Sequence, residues 1–343
     1  MKQTSMRDIA EELKISITTV SFVLNGKGKE KGISDKTISL VNELIKERGF
    51  NPNYSARSLR TGKSNTIVLI VEDISNSFFG NIARIVEQEA SKKGFKVVYG
   101  STENDNQKAE SLISLMRNSA VEGFIITPTT NLLEELKNLQ KQKIPFVLID
   151  RTIPGIESNY VVINNYGGAY DLTSHLIKNG YRKIGFVTIS KAMSQMEERR
   201  NGYEKALSES GIIASPNWIL EIPFEDNSQV IIASIQEYLN KNKDLDALFF
   251  ATNYLCVNGL EALQNNKMVV PNDIALVSFD DHVLFRLSTP SITVAAQPIE
   301  DIASKTIEIL LDNIKKGGKP KNPIGVVLQP NLIIRNSSSP KQK

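Results

Sequence analysis

Residues 6–25, MRDIAEELKISITTVSFVLN, hold two short amphipathic segments separated by a polar break. Ile9, Ala10 and Leu13 share one face of the first segment, and Val20, Val23 and Leu24 share one face of the second. Ser16, Ile17, Thr18, Thr19 and Ser21 cluster around the start of the second. This is the pattern of a helix-turn-helix, whose second helix enters the DNA major groove N-terminus first. A third helix is predicted over residues 34–48, with Ser34 as N-cap, Ile38, Val41, Leu44 and Ile45 as its apolar stripe, and Gly49 as its stop. The Gly/Lys-rich stretch NGKGKEKGI (25–33) lies between the last two helices and is expected to run near the DNA backbone. Three helices around one small core predict a DNA-binding head.

Charge supports that reading. The chain of 343 residues carries a net charge of only +3. Residues 1–65, however, hold 12 Lys/Arg against 7 Asp/Glu (+5), which leaves 29 against 31 (−2) for the remainder. A basic head on a slightly acidic body fits contact with phosphates. At 41% hydrophobic and 23% charged residues, the composition is that of an ordinary globular protein with room for two or three domains. The single cysteine, Cys256, allows no internal disulfide and no Cys cluster for a metal. The N-terminus shows no apolar signal region, and apolar runs such as IVLIV and FVLI are too short to span a bilayer. A cytoplasmic protein with no membrane partner is expected.

Downstream of the head, Asn51-Pro52 is a break, YSARSLR (54–60) is one short helical turn, and residues 61–65 are a linker. Seven residues are too few for a stable isolated helix, so this segment is expected to fold only when something else holds it. From residue 66 the pattern alternates strand and helix. Apolar runs at 66–72, 95–100, 122–127, 144–150, 160–164, 183–189, 218–224, 246–252 and 273–279 read as buried parallel strands with helices between most of them. Two doubly wound parallel sheets are predicted, each with a crevice at its strand C-termini. The expected division places 66–163 with 295–324 in a first lobe, 164–294 with 325–336 in a second, and 337–343 in a polar tail. Strand 66–72 is not followed by G-x-G-x-x-G, no P-loop is present, and His175 and His282 show no metal-ligand spacing. An enzyme is therefore not expected, and no cofactor or metal is implied. A plain solute-binding protein fits the body, but not the head.

The ordered set TTVSFVLNG, FNPNYSARSLRTGKSNTI, ISNSFFGNIARIVEQEA, IPFVLIDR, INNYGGAYDLTSHLIKNGYRKIGFV, ERRNGYEKAL, VSFDD and VAAQP runs nearly end to end. It resembles the lac repressor family of bacterial transcription regulators. The resemblance implies a helix-turn-helix head with a hinge helix over residues 1–60, and a two-lobed core similar to periplasmic sugar-binding proteins. It also implies a homodimer on near-palindromic double-stranded operator DNA, one half-site per head, controlled by a small-molecule effector between the lobes. Repression is the expected mode, although the sign of the effector's action is not written in the sequence.

Matched to the family, the DNA-facing residues are Thr4, Ser16, Ile17, Thr18, Thr19, Ser21, Phe22 and Asn25 in the head, and Asn53, Tyr54, Ala56, Arg57, Leu59 and Arg60 in the hinge. Ile17 and Thr18 are placed to read base edges, while Thr19, Ser21 and Asn25 suit phosphate contacts. Leu59 matches the leucine that wedges between base pairs and kinks the duplex. Phe22 departs from the arginine many members carry, so the operator sequence does not transfer. The effector positions implied are Ser75, Asn76, Phe78, Phe79, Asp150, Arg151, Arg199, Phe224, Asn253 and Asp280, most of them also at expected strand C-termini. Cation, carboxylates and apolar faces together suit a sugar. Asn164 and Tyr254 stand where the family often has aspartate, and a nucleobase or an anionic metabolite stays open as effector.

Overall fold

The computed structural model describes residues 4–50, 64–190, 193–318 and 322–341. The chain divides into two compact units, Met1–Ser64 and Asn65–Lys343. All six hinge positions from Asn53 to Arg60 lie outside the described residues.

In the first unit, α1 (Met6–Glu12), α2 (Ile17–Leu24) and α3 (Asp35–Glu47) each begin at a serine. The Ser5 hydroxyl accepts from the Asp8 amide while the Asp8 carboxylate accepts from the Ser5 amide, a reciprocal capping box. Ser16 and Ser34 cap α2 and α3 through the hydroxyl alone, accepting from the amides of Thr19 and Thr37. Lys14, at φ 51°, takes the left-handed conformation that makes the turn between α1 and α2 tight. Ile9, Ala10, Val20, Val23, Val41, Leu44 and Phe50 form the core beneath them. This is the small core that the spacing of apolar residues anticipates.

The second unit holds two six-stranded sheets. Its strands are β1 (Thr66–Val71), β2 (Lys96–Ser101), β3 (Gly123–Ile126), β4 (Phe146–Ile149), β5 (Asn159–Ile163), β6 (Ile184–Ile189), β7 (Ile219–Ile222), β8 (Ala247–Phe250), β9 (Ala275–Phe279), β10 (Thr293–Ala296), β11 (Gly325–Leu328) and β12 (Asn331–Ile333). The helices between them are α4 (Ser77–Lys92), α5 (Asn106–Asn118), α6 (Leu133–Lys141), α7 (Asn165–Lys178), α8 (Ser194–Glu209), α9 (Ser228–Lys241), α10 (Asn253–Asn265), α11 (Val283–Leu287) and α12 (Ile299–Lys315). The first sheet runs β11-β5-β4-β3-β1-β2, all parallel. The second runs β12-β10-β9-β8-β6-β7, parallel except for β12, which is antiparallel to β10. Strands such as β1, β3, β4, β8 and β9 are buried along nearly their whole length, as parallel sheets covered on both faces require.

Strand pairing corrects the expected lobe boundaries in two places, and hydrogen bonding corrects the expected tail. β10 belongs wholly to the second sheet, so the return to the first lobe starts at Gln297 and not at 295. β11 pairs with β5 in the first sheet, although residues 325–336 were all expected in the second lobe. The stretch GVVLQPNLII reads as one apolar run, but Gln329-Pro330 interrupts it and sends β12 alone across to the second sheet. The expected polar tail opens with two buried serines, Ser337 and Ser338. Ser337 Oγ accepts from the Thr293 amide at 2.8 Å and donates to the Leu276 carbonyl at 2.6 Å. The segment therefore satisfies backbone groups beside the second sheet.

The close approach of α7 and α8 depends on one glycine. A Cβ on Gly202 would lie 2.2 Å from the Tyr166 carbonyl oxygen and 3.1 Å from Ala169 Cβ. Only a residue without a side chain lets the two helix backbones meet here. Gly202 lies three residues from Arg199, so this contact also sets where the arginine enters the space between the lobes.

Candidate DNA-reading face and effector cleft

On the head, Ile17 is 47% exposed at the first position of α2 and Thr18 beside it is exposed. An isoleucine left in water at a helix N-terminus, next to a hydroxyl, suits a surface that meets base edges. The other polar positions are partly committed within the head. Thr19 Oγ1 shares a 2.8 Å hydrogen bond with Ser16 Oγ. Asn25 Nδ2 donates to the Ser21 carbonyl at 2.6 Å, closing the C-terminus of α2. Phe22 is half-buried, with Lys31 Nζ 5.7 Å from its ring centre. Thr4 is half-buried one residue before the capping serine.

Between the two lobes the strand C-termini converge. Glu72 follows β1, Asp150 and Arg151 follow β4, Asn253 follows β8 by way of Ala251 and Thr252, and Asp280 follows β9. Asp150 and Asp280 both sit in the left-handed region, at φ 68° and 67°. Aspartate tolerates this conformation better than most residues, and in each lobe it turns a carboxylate out of the strand end. Glu72, Asn76, Phe78, Phe79, Asp150, Arg151, Arg199, Asn253, Tyr254 and Asp280 line an inner chamber of about 40 Å³. An outer mouth of about 580 Å³ shares Glu72, Asn76, Asn253 and Tyr254, and adds Ser75 and Phe224. The inner chamber has room for only a few waters.

Each arginine of the chamber is held on several sides. Arg199 is 2% exposed. Its Nε donates to Asn165 Oδ1 at 2.9 Å, its Nη1 donates to the Ala251 carbonyl at 2.6 Å, and Asp280 lies 3.8 Å away. The Phe279 ring supports the guanidinium from 3.7 Å. Burial pulls the Arg199 pKa below its ordinary value against the pull of Asp280 and Asp150, and burial raises that of Asp280 against Arg199 and Gln297. Arg151 donates through Nε to Asp150 at 3.0 Å, through Nη1 to Asn104 at 3.0 Å, and through Nη2 to Glu72. Burial works against its cation, but Asp150 and Glu72 outweigh that and raise its pKa.

Contacts also cross between the lobes. Asn76 and Asn253 exchange side-chain amide hydrogen bonds at 3.5 and 3.3 Å, and Asn253 also reaches Ser77 Oγ at 3.3 Å. Gln195 Nε2, on α8 of the second lobe, donates to Asp150 at 3.2 Å. Phe78 and Phe79 pack edge to face, 4.9 Å between centres, and are both buried. Ser75 is exposed and bonded to Asp73, and Phe224 is half-buried at the mouth.

Chamber residues beyond those expected from the sequence include the polar Glu72, Gln195, Thr252, Tyr254 and Gln297. Glu72 ends an apolar run, so the strand C-terminus rule was enough to find it. Gln195 and Gln297 stand in a helix and a crossover, and no local pattern marks them.

Comparison with known proteins agrees with this geometry. Residues 5–53 match bacterial regulatory proteins of the lacI family, and residues 173–338 match the periplasmic binding protein-like domain. The transcriptional regulator RegA of Clostridium saccharobutylicum is 31% identical over 339 residues, 98% of this chain and 99% of RegA. The ribose operon repressor of Haemophilus influenzae is 28% identical over 333 residues, 97% of this chain and 98% of the repressor. Among solved structures, the complex of the transcriptional regulator CelR with cellobiose is 26% identical and aligns with a TM-score of 0.72, covering 98% of this chain and 100% of that one. With a helix-turn-helix head whose second helix opens on the exposed Ile17 and Thr18, and a two-lobed body whose strand ends enclose a polar chamber, the chain belongs to the lacI family of bacterial regulatory proteins and is a DNA-binding transcriptional regulator.

Proposed function

We propose that this protein is a cytoplasmic repressor that acts as a homodimer on a near-palindromic operator, and that a carbohydrate bound between the lobes controls its affinity for DNA. The observation that carries the reading is the chamber itself. Carboxylates, amides and guanidinium donors converge from both lobes on one space, walled by Phe78 and Phe79. Paired hydroxyls on a ring with apolar faces are the ligand chemistry such a wall suits. The cellobiose bound to CelR, a relative matched over nearly its whole length, supports a carbohydrate.

Val283 and Leu287, 51% and 74% exposed on α11 beside the cleft, leave apolar surface that a second copy would cover, which supports the dimer. Ile17 and Thr18 read bases in this scheme, Ser21 and Asn25 flank the phosphates, and Leu59 wedges the operator centre. Sugar and DNA are then linked through the arrangement of the lobes, and each changes the other's affinity by the same factor. A thermal-shift screen of the purified protein against sugars tests the effector, because a ligand that binds only the folded state raises its melting temperature. Operator binding by fluorescence anisotropy, with and without the hit, tests the linkage. A hit that leaves operator affinity unchanged would refute control by that ligand.

A further inference from the structure

We infer that the effector is an uncharged, hydroxyl-rich molecule, and that the chamber rejects the phosphorylated or carboxylated counterpart of the same sugar. This rests on the carbohydrate reading above and narrows it.

The charges are the first argument. Among the described residues, Glu72, Asp150 and Asp280 face the chamber with Arg151 and Arg199, three carboxylates against two guanidiniums. The mouth adds Asp73 and Asp226 and, among the described residues, no lysine or arginine. Arg151 is held between two carboxylates by hydrogen bonds and cannot turn to an incoming anion without abandoning them. Arg199 faces Asp280 and is bonded to Asn165 and Ala251. An anion entering here meets a net negative wall whose cations are already countered.

The unpaired atoms are the second argument. Gln195 Nε2 donates to Asp150, and Gln297 Nε2 donates to Asp280 at 2.6 Å. A carboxylate only accepts, so these contacts fix which end of each amide faces it. Both carbonyl oxygens, Gln195 Oε1 and Gln297 Oε1, are thereby left buried without a donor, and both residues line the chamber. Buried polar atoms gain most from a ligand that satisfies them. Both are pure acceptors and require O–H or N–H donors. Sugar hydroxyls supply such donors, whereas an ionised phosphate or carboxylate supplies none. Each aspartate–glutamine pair thus adds a neutral carbonyl acceptor beside its carboxylate. The small inner volume means that a ligand enters by parting the Asn76–Asn253 contacts that cross between the lobes.

Isothermal titration of the full-length protein tests the proposal, with neutral pentoses, hexoses and disaccharides each paired with its phosphate ester and its acid form. The expected result is a neutral binder whose anionic counterparts bind at least about 100-fold more weakly. An anionic counterpart that binds as tightly as the neutral sugar, or tighter, overturns the proposal while leaving the carbohydrate reading intact. A cooperatively folded protein that binds no member of either set sinks the carbohydrate reading and this inference with it. The Glu72→Gln variant provides a second arm. It frees Arg151 from one carboxylate, so the preference for neutral over anionic ligand should narrow about tenfold. An unchanged preference in folded Glu72→Gln protein overturns the inference.

Discussion

Gly202→Ala places one methyl group where α7 and α8 touch. The added Cβ would stand 2.2 Å from the Tyr166 carbonyl oxygen and 3.0 Å from the Tyr170 amide nitrogen. Both are backbone atoms, so no rotamer change relieves the clash. Ordinary contact requires the helices to separate by roughly 1 Å, within a layer packed at the density of an organic crystal. Overpacking of this kind costs about 3 kcal/mol at its upper range. Alanine returns about 1 kcal/mol through its higher helix propensity. The net loss is about 2 kcal/mol, which lowers the melting temperature of the body by roughly 4–8 °C. The displacement also reaches Arg199, one helical turn away, and through it the contacts to Asn165 and Asp280. Effector affinity should fall with stability, while DNA affinity of the ligand-free protein changes little. Differential scanning calorimetry and isothermal titration measure both. A melting temperature that is unchanged or raised would refute the argument that this glycine is required by close backbone approach.

Four further outcomes are expected. Val20→Ala removes a fully buried side chain from the small core of the head and should destabilise the head by about 1–2 kcal/mol, abolishing operator binding at 37 °C while effector titration stays unchanged. Thr18→Ala should weaken specific operator binding about tenfold and leave the salt-dependent nonspecific affinity unaltered, as read by anisotropy on matched duplexes. Ser337→Ala leaves the Thr293 amide without its acceptor and should lower stability by about 1–3 kcal/mol in urea unfolding. The pKa of His175 is lowered by burial and by Lys178, so the unfolded chain takes up its proton more readily than the folded one. Its contribution to stability is complete above pH of about 6.5 and is lost as pH falls through the depressed folded value. The His175→Gln variant should lack this part of the acid-side decline in melting temperature, and an identical pH profile would exclude His175 as its source.

Local rules read best where one residue decides one contact. Ser16 and Ser34 are legible as caps because a short hydroxyl before an apolar-periodic run has few other uses. The positions of Asn253, Asp280 and Arg151 follow from the rule that ligands meet parallel sheets at strand C-termini. Arg151 illustrates the limit of that rule. Its position was legible, but its partner Glu72 lies 79 residues away in the chain, and only the pairing of β1, β3 and β4 brings the two ends together. Gln195 and Gln297 were illegible for the same reason: an amide beside a carboxylate gains its meaning from strand order, not from spacing. The sequence of β11 does not specify its lobe, because an edge strand of alternating exposure fits either sheet, and the decision rests on its register with β5. The buried serines at 337 and 338 look like any polar terminus until β9 and β10 present backbone groups for them to satisfy.

The chain passes between the lobes three times, after β5, after β10 and after β11. Two of these passages are fastened to each other, through the Asn164 amide nitrogen bonded to the Leu328 carbonyl and the Asn164 side chain bonded to Gln329 at 2.9 Å. The consequence is mechanical. A body joined by one strap can swing and twist freely, whereas one joined by three, with two fastened together, keeps mainly the freedom to rotate about the line of the straps. If a molecule binds in the chamber as proposed above, it would thereby be reported as a single coordinate, the angle between the two lobes. Because the head is joined in sequence to β1, the first strand of one lobe, that angle is what the chain has available to pass on to DNA.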